Sequence, residues 1–462
     1  MDNYDEETIA AISTPFGESG IGIVRMSGPL AEPIATKIFK PKKSFTRFIP
    51  HQFHYGEIID PRSGHPIDEV LLVLMKSPRT YTREDIVEIQ CHGGYFILQK
   101  VLELVLQQGA RMAEPGEFTR RAFLNGRIDL TQAEAVIELI KARTSISLEI
   151  ANQQLKGWLH EEMQILKERL IEHLCLIEAH IDFPEEEIEA VSSKRMKQDL
   201  DEAVRKLEGW IASYEEGRIF REGISCTITG KTNVGKSSLL NVLLKEERAI
   251  VTPVPGTTRD VIEEVLNIQG IPLRLTDTAG FRKPLDTVEE EGVRRARQRV
   301  SDSDLVLLML DGSRPLDVDD LEIFKEIQGK KKVVIINKID LPQGLCVEEV
   351  RRRFQKDPVL SISALKNEGI DRLKEAIYHS LIHRDIRTSP EYRIVANVRH
   401  KSVLARAREN LANAARGLEE GTSFEFIAFE IRCALETLGE LVGETTSEEV
   451  LNRIFDQFCI GK

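Results

Sequence analysis

At 462 residues, with 41% hydrophobic and 30% charged side chains, the chain has room for about three soluble domains, each with its own core. A net charge of −12 argues against a protein that coats nucleic acid through its overall field, so any RNA partner must be met by a local basic surface. Six scattered cysteines (Cys91, Cys175, Cys226, Cys346, Cys433, Cys459) form no CxxC pair, which favours reduced cytosolic thiols over disulfides or a zinc site. The start, MDNYDEETIA, lacks the basic and apolar regions of a signal peptide, and runs such as Leu305–Leu310 are too short for a bilayer. The expectation is a cytoplasmic protein with no membrane segment.

In chain order, residues 1–123 mix β-like stretches (Ile21–Met26, Glu69–Met75, Asp85–Gln90) with one helical run, Tyr95–Gln108, and read as an α+β domain. Residues 124–217 become helical. Leu159, Met163, Leu166, Leu170, Leu174, Ile177 and Ile181 make one apolar stripe, which Asp182-Phe183-Pro184 ends; Leu200, Val204, Leu207, Ile211 and Tyr214 make a second. Residues 218–382 alternate strands and helices, the pattern of a doubly wound, mostly parallel α/β sheet. Residues 383–462 return to helix, with a stripe at Ile427, Ile431, Leu435 and Leu438. Helical text on both sides predicts an α/β domain inserted into an α-helical domain, preceded by the α+β amino-terminal domain.

The run Gly230-Lys231-Thr232-Asn233-Val234-Gly235-Lys236-Ser237 follows a predicted strand, Ile224–Thr229, and precedes a predicted helix, Ser238–Lys245. That is a P-loop context. Backbone N–H groups between Gly230 and Ser238 wrap phosphates, Lys236 reaches the β- and γ-phosphates, and the Ser237 hydroxyl ligands Mg²⁺. Asp277-Thr278-Ala279-Gly280 ends a second strand, where Asp277 holds Mg²⁺ through water and the Gly280 amide senses the γ-phosphate. Asn337-Lys338-Ile339-Asp340 ends a third, and an Asp340 carboxylate accepts guanine N1–H and N2–H, a donor pair adenine lacks. After a later strand, the amides of Ser363, Ala364 and Leu365 are placed to meet the guanine carbonyl. All four motifs fall at strand carboxyl ends, where open α/β sheets bind ligands. The chain thus reads as a GTPase. In Val251–Asp260, Thr258 is the chosen Mg²⁺ ligand, with Thr257 the competing reading. Phe281 stands where Ras-like proteins use a water-positioning Gln, so hydrolysis needs another group. Arg259 and Arg282 are candidate arginine fingers. From spacing alone, Glu289-Glu290-Glu291 reads as a solvated helix start.

Three further runs narrow the choice: Gly22–Gly28 with Arg25, Tyr81–Gly94 with Glu88, and Pro115–Arg127. With the last residues, Phe458-Cys459-Ile460-Gly461-Lys462, they closely resemble the MnmE (TrmE) family of tRNA modification GTPases along essentially the whole chain. The resemblance implies an amino-terminal folate-binding and dimerisation domain, a split helical domain and an inserted GTPase domain. It implies a homodimer that works with the flavoprotein MnmG to install a carboxymethylaminomethyl-type group at C5 of the wobble uridine of certain tRNAs. A 5-formyl- or methylene-tetrahydrofolate supplies the one-carbon unit. By motif position it places folate contacts on Arg25, Glu88, Arg127 and Lys462, and modification chemistry near Cys459. The family is also potassium-activated, which implies K⁺ near Asn233, Thr252, Val254 and Thr257, in the place of an arginine finger. It raises Glu289 to the general base or water-orienting residue. Two rival readings remain, a pure binding switch such as a ribosome-assembly factor and an ATP-dependent enzyme. Asn337, Lys338 and Asp340 disfavour the second.

Overall fold

In a computed structural model, residues 7–15, 17–43, 46–183, 193–247, 264–275, 301–382 and 393–462 are described. The first sheet comprises β1 (Ile9–Ile12), β2 (Ser19–Ser27), β3 (Phe39–Pro41), β4 (Phe53–Ile59), β5 (Pro66–Met75), β6 (Ile86–Gly93) and β7 (Arg111–Met112). Their order is β3-β4-β5-β6-β2-β1-β7, antiparallel throughout except for β1 with β7. Helices α1 (Ala31–Ile38) and α2 (Tyr95–Gln107) share a core with one face, where Val24, Leu72 and Ile89 meet Ile34, Leu98 and Val101. A Cβ at Gly22 would stand 2.5 Å from the Leu98 side chain, so glycine lets α2 approach the strand. Register aligns Phe53, Val73, Glu88, Arg25 and Ala11 across the other face, with Tyr55, Leu71, Gln90 and Ile23 in the next row. At the β4–β5 end of that face Phe53, Tyr55 and Leu71 are exposed.

The chain then becomes helical: α3 (Glu117–Leu124), α4 (Leu130–Lys141), α5 (Ser145–Leu155), α6 (Trp158–Asp182) and α7 (Ser193–Glu222). Asp129 caps α4 by accepting from the Thr131 and Gln132 amides, while Gln132 returns a bond from the Asp129 N–H. The predicted stripe on α6 buries Leu159, Met163, Leu166, Leu170 and Ile177, with Leu174 and Ile181 half-buried at its margin.

The second sheet has the order β13-β12-β11-β8-β10-β9, built from β8 (Ile224–Thr229), β9 (Glu264–Ile268), β10 (Ile271–Leu275), β11 (Leu305–Asp311), β12 (Lys332–Asn337) and β13 (Val359–Ser361). All pairs are parallel except β9 with β10. The described helices of this unit are α8 (Lys236–Glu247), α9 (Val318–Glu326), α10 (Val347–Arg353) and α11 (Ile370–Leu381). With both faces covered, β11 and β12 are apolar over Leu305–Leu310 and 333–336, while β8 alternates Ile224, Cys226 and Ile228 with Ser225, Thr227 and Thr229. Leu305, Leu307, Met309, Val333 and Ile335 pack with α8 and α11, while Val306, Leu308, Leu310, Val334 and Ile336 pack on the other side with Val350 of α10. Ile335→Ala would cost on the order of 2–5 kcal/mol.

The last helices are α12 (Val398–Glu420), α13 (Phe424–Val442) and α14 (Glu448–Phe455). One helical core draws Trp158 to Tyr214 from before the α/β unit and Val395 to Val442 from after it. The α/β unit is therefore inserted into a helical domain, as the two-sided helical text predicts. Buried Glu134 of α4 joins the two parts by accepting from Arg399 (2.9 and 2.7 Å) and lying 2.6 Å from His400 Nε2. Burial alone would raise this carboxyl; the charges of His400 and Arg399 outweigh it and hold it at about 2.

Candidate functional site

The P-loop leaves β8 through Gly230, whose φ of 143° puts a hypothetical Cβ 2.3 Å from the Met309 carbonyl. Asn233 (φ 63°) and Gly235 (φ 104°) are also left-handed, and the loop keeps its backbone close to the sheet. Val234 is buried, while Asn233, Ser237 and Ser238 are exposed where α8 begins. Lys236 donates through Nζ to the carbonyls of Gly230 (2.7 Å) and Lys231 (2.5 Å), and its burial lowers its pKa. Those carbonyls hold the ammonium inside the loop, where an anion would compete for it.

Asn337, 3% exposed at the end of β12, locks the P-loop to the base-side loop. Its Nδ2 donates to the Val234 carbonyl (2.8 Å) and its Oδ1 accepts from the Ala364 amide (2.9 Å). Lys338, at φ 69°, donates to Asp311 at 2.6 Å. Burial would raise the Asp311 carboxyl, but Lys338 and Ser313 hold it below its usual range. Asp340 accepts from the Ser363 hydroxyl at 2.6 Å, and that bond depresses its pKa. The sequence reading gives three amides to a guanine carbonyl, and the structure narrows it. Ser363 N–H donates to the Glu368 carbonyl (3.0 Å) and Ala364 N–H to Asn337, so only the Leu365 amide has no partner among the described residues. Ser363 closes the loop on itself and Asn337 of β12 takes the Ala364 donor, so both are consumed.

Thr252, Val254, Thr257, Thr258, Asp277, Thr278, Ala279, Gly280 and Glu289 lie outside the described residues, as do Arg259, Phe281 and Arg282.

A second cluster gathers residues from the two ends of the chain. Arg25 donates to Glu88 from Nε (2.8 Å) and Nη2 (2.7 Å), and its Nη1 reaches the Gly461 carbonyl at 3.4 Å. Pro115 pairs with Ile460, and Gly461 packs so tightly on Ile12 that a Cβ would stand 2.5 Å from its carbonyl. The terminal motif therefore meets the first sheet of its own chain. Lys462 lies here half-buried, its pKa lowered by burial and by the Arg25 charge. Cys459 is exposed. Arg127 stacks over Tyr81, 4.7 Å from the ring centroid, and donates to its carbonyl at 3.1 Å. Two residues that sequence reasoning did not single out complete the cluster: Tyr81, bonded to Thr119 at 2.9 Å, and Phe118, beneath Arg25 at 5.7 Å. Both stand inside the runs Tyr81–Gly94 and Pro115–Arg127, the only signal that pointed to them. An open cleft of about 570 Å³ adjoins the cluster, lined by Arg127, Asp129, Gln132, His160 and Glu444 among others.

The family model for the MnmE helical domain matches residues 130–459, and that for the GTP-binding protein TrmE N-terminus matches residues 8–127. A tRNA modification GTPase MnmE of Geobacter sulfurreducens is 50% identical over 99% of this chain and 100% of its own. The chain belongs to the MnmE (TrmE) family. Another member, from Thermoanaerobacter pseudethanolicus, is 47% identical over 99% of each chain. A crystal structure of Aquifex aeolicus Era bound to GDP and aluminium fluoride covers 40% of this chain and 66% of its own, at 29% identity and a TM-score of 0.28.

Proposed function

We propose that the chain hydrolyses GTP and acts in tRNA modification. The observation that carries the GTP reading is the Asn337 bridge between P-loop and base-side loop, with Asp340 kept ionised beside it. Gly230, Asn233, Val234, Gly235, Lys236, Ser237 and Ser238 would hold the phosphates, with Thr252, Thr257, Thr258, Asp277, Thr278, Ala279 and Gly280 completing that side. Asn337, Lys338, Asp340 and the Leu365 amide would hold the base, with Ser363 and Ala364 shaping the loop around it through their bonds to Asp340, Glu368 and Asn337. Ser237 is exposed at the start of α8, which suits a Mg²⁺ ligand, and Thr258 would be its companion. Asn233 is exposed at positive φ, which suits a K⁺ ligand, with Thr252, Val254 and Thr257 as its companions. When bound, the two cations offset charge that develops on the phosphates. Glu289 would orient the attacking water and accept its proton.

The second cluster supports a tetrahydrofolate site. Glu88 can pair with an amidine-like pterin edge, and Arg25, Arg127 and Lys462 can meet carboxylates. A 5-formyl- or methylene-tetrahydrofolate there would supply the carbon that an MnmG-type flavoprotein partner joins to C5 of a wobble uridine. Cys459 stands beside it, available to that chemistry. The exposed Phe53, Tyr55 and Leu71 on the same sheet face support homodimerisation through the first domain. No helix among the described residues is long and apolar enough to cross a membrane.

The test is nucleoside mass spectrometry of tRNA from cells lacking the gene and from cells complemented with Lys462→Ala. Loss of the C5 substituent in both is expected. Wobble uridines unchanged by the deletion would leave the binding-switch reading in its place.

A further inference from the structure

Helix α5 precedes the inserted unit in sequence, yet two of its side chains, Ile146 and Ile150, belong to that unit's hydrophobic core together with Leu266, Ile268 and Ile271. Its seat is the turn between β9 and β10. Gly270, at φ 94°, would place a Cβ 2.2 Å from Ile146 Cδ1, so glycine is what lets the isoleucine close on the turn. Thr144 Oγ1 donates to the Gly270 carbonyl at 2.8 Å and also caps α5 by accepting from the Ser147 amide. Gly270 N–H is held by Asn267 at 2.9 Å, which keeps the turn rigid where α5 meets it.

Sequence gives this hairpin its importance. The run containing Thr252–Thr258 precedes β9, and Asp277-Thr278-Ala279-Gly280 follows β10 after a single residue. Both nucleotide-sensing motifs are thus tethered to one hairpin, and α5 grips that hairpin at its far end. On its other side α5 is bonded to α4: Gln154 donates to the Thr131 carbonyl (3.2 Å) and Gln132 to the Leu155 carbonyl (2.9 Å). Helix α4 packs Leu130, Ala133 and Ile137 against Ile454, Phe455 and Phe458, and Cys459 is the next residue. Close-packed, bonded elements move together rather than deform.

We propose that α5 couples the nucleotide site to the terminal motif, with Thr144 and Ile146 as the positioning residues that couple the β9–β10 hairpin to α4. The inference rests on the GTPase reading above and not on the folate reading. A competing route is covalent, because α7 runs directly into β8; Thr144 and Ile146 distinguish the two, since they grip the hairpin.

The experiment uses full-length protein with GDP or with a non-hydrolysable GTP analogue, and measures the rate at which iodoacetamide alkylates Cys459, read by peptide mass spectrometry. Exposed Cys175 and Cys346 serve as internal controls. The wild-type rates should differ by about fivefold or more between the two nucleotides, while the controls do not. In Thr144→Val and Ile146→Ala the difference should shrink to within about twofold, with both nucleotide affinities kept within about threefold. Thr144→Ser, which restores the hydroxyl, should restore the difference. If Ile146→Ala fails to fold, the Thr144 pair alone decides. Equal wild-type rates, or a difference that persists in Thr144→Val, would overturn the proposal. Protection of Cys459 by added 5-formyltetrahydrofolate is read in the same samples, and its absence counts against the folate reading alone.

Discussion

The two candidate sites are built in opposite ways. The nucleotide site hangs on loops at the carboxyl ends of one parallel sheet, and Asn337, buried in that sheet, joins two of them. The terminal cluster is only half framed: Arg25 and Glu88 are cross-strand neighbours on β2 and β6, but the terminal motif and Arg127 are brought to them from elsewhere in the chain. Arg25 and Gly461 meet across 436 positions, and Glu88 and Arg127 arrive from two further segments. A site whose parts share a sheet inherits its geometry from the fold. One assembled from chain ends depends on the packing that brings them together, here Phe455 and Phe458 against Leu130 and Ala133. Substitutions among the contacts of the first should therefore remove GTP contacts without dismantling the terminal cluster, and those in the second should leave the GTP contacts in place, with α5 passing only a conformational bias between them.

The largest separation is expected from Glu289→Ala. Steady-state hydrolysis should show kcat reduced by about 10²-fold or more, with GTP affinity within about threefold and folate affinity unchanged. Turnover that barely changes would send the search to Asp286 or Glu290. Next comes Asp340→Asn, which removes the ionised acceptor for the guanine edge. Nucleotide titration should show GDP affinity reduced by about 30- to 100-fold, the scale of a charge-assisted pair of hydrogen bonds, again with folate binding intact. Asn233→Ala tests the cation: wild-type turnover should be roughly tenfold or more faster in K⁺ than in Na⁺ at equal ionic strength, and the variant should not distinguish the salts. Equal wild-type rates in the two salts would remove K⁺ from the site. The smallest effect belongs to Ser363→Ala. The Ser363 hydroxyl depresses the Asp340 pKa, so the carboxylate stays ionised as pH falls toward its ordinary value. Without that bond the acid limb of GDP binding should move to higher pH, with the affinity at pH 7 nearly unchanged.

Much of the inserted unit was legible in the sequence because short β-prone runs lead directly into motif residues. Ile224–Thr229 is β8 as read, and Asn337 closes β12. The stripe on α6 was legible for the same kind of reason: heptad-like spacing survives wherever a helix buries one face. The first sheet was harder. In β4, His54 and Gly56 are buried while Phe53 and Tyr55 are exposed, so hydropathy alternates in the wrong sense. Gly56 is inside because a Cβ there would stand 2.4 Å from the Lys40 carbonyl, and His54 because its Nε2 accepts the Ile49 amide. In β1 all four residues, Ile9–Ile12, are buried and show no alternation at all. Spacing revealed the nucleotide motifs, but not that Ser363 spends its amide on Glu368 and Ala364 on Asn337. Nor did it show that Cys175 and Cys346 are exposed, whereas Cys91 and Cys226 are buried. The terminal cluster was legible only through family resemblance. Whether the terminal motif met its own first sheet or that of a dimer mate needed coordinates, since no local pattern encodes a contact between Gly461 and Ile12.

Separability of the two sites is tested most directly by titrating 5-formyltetrahydrofolate into wild-type protein and Arg25→Ala while measuring GTP hydrolysis on the same samples. Arg25 bonds Glu88 and the Gly461 carbonyl, so its loss should weaken folate binding by about 10- to 100-fold and leave GTP turnover within about twofold. Unchanged folate affinity, or a GTPase rate that falls in step with it, would contradict two sites that bind their ligands through separate sets of contacts on one chain.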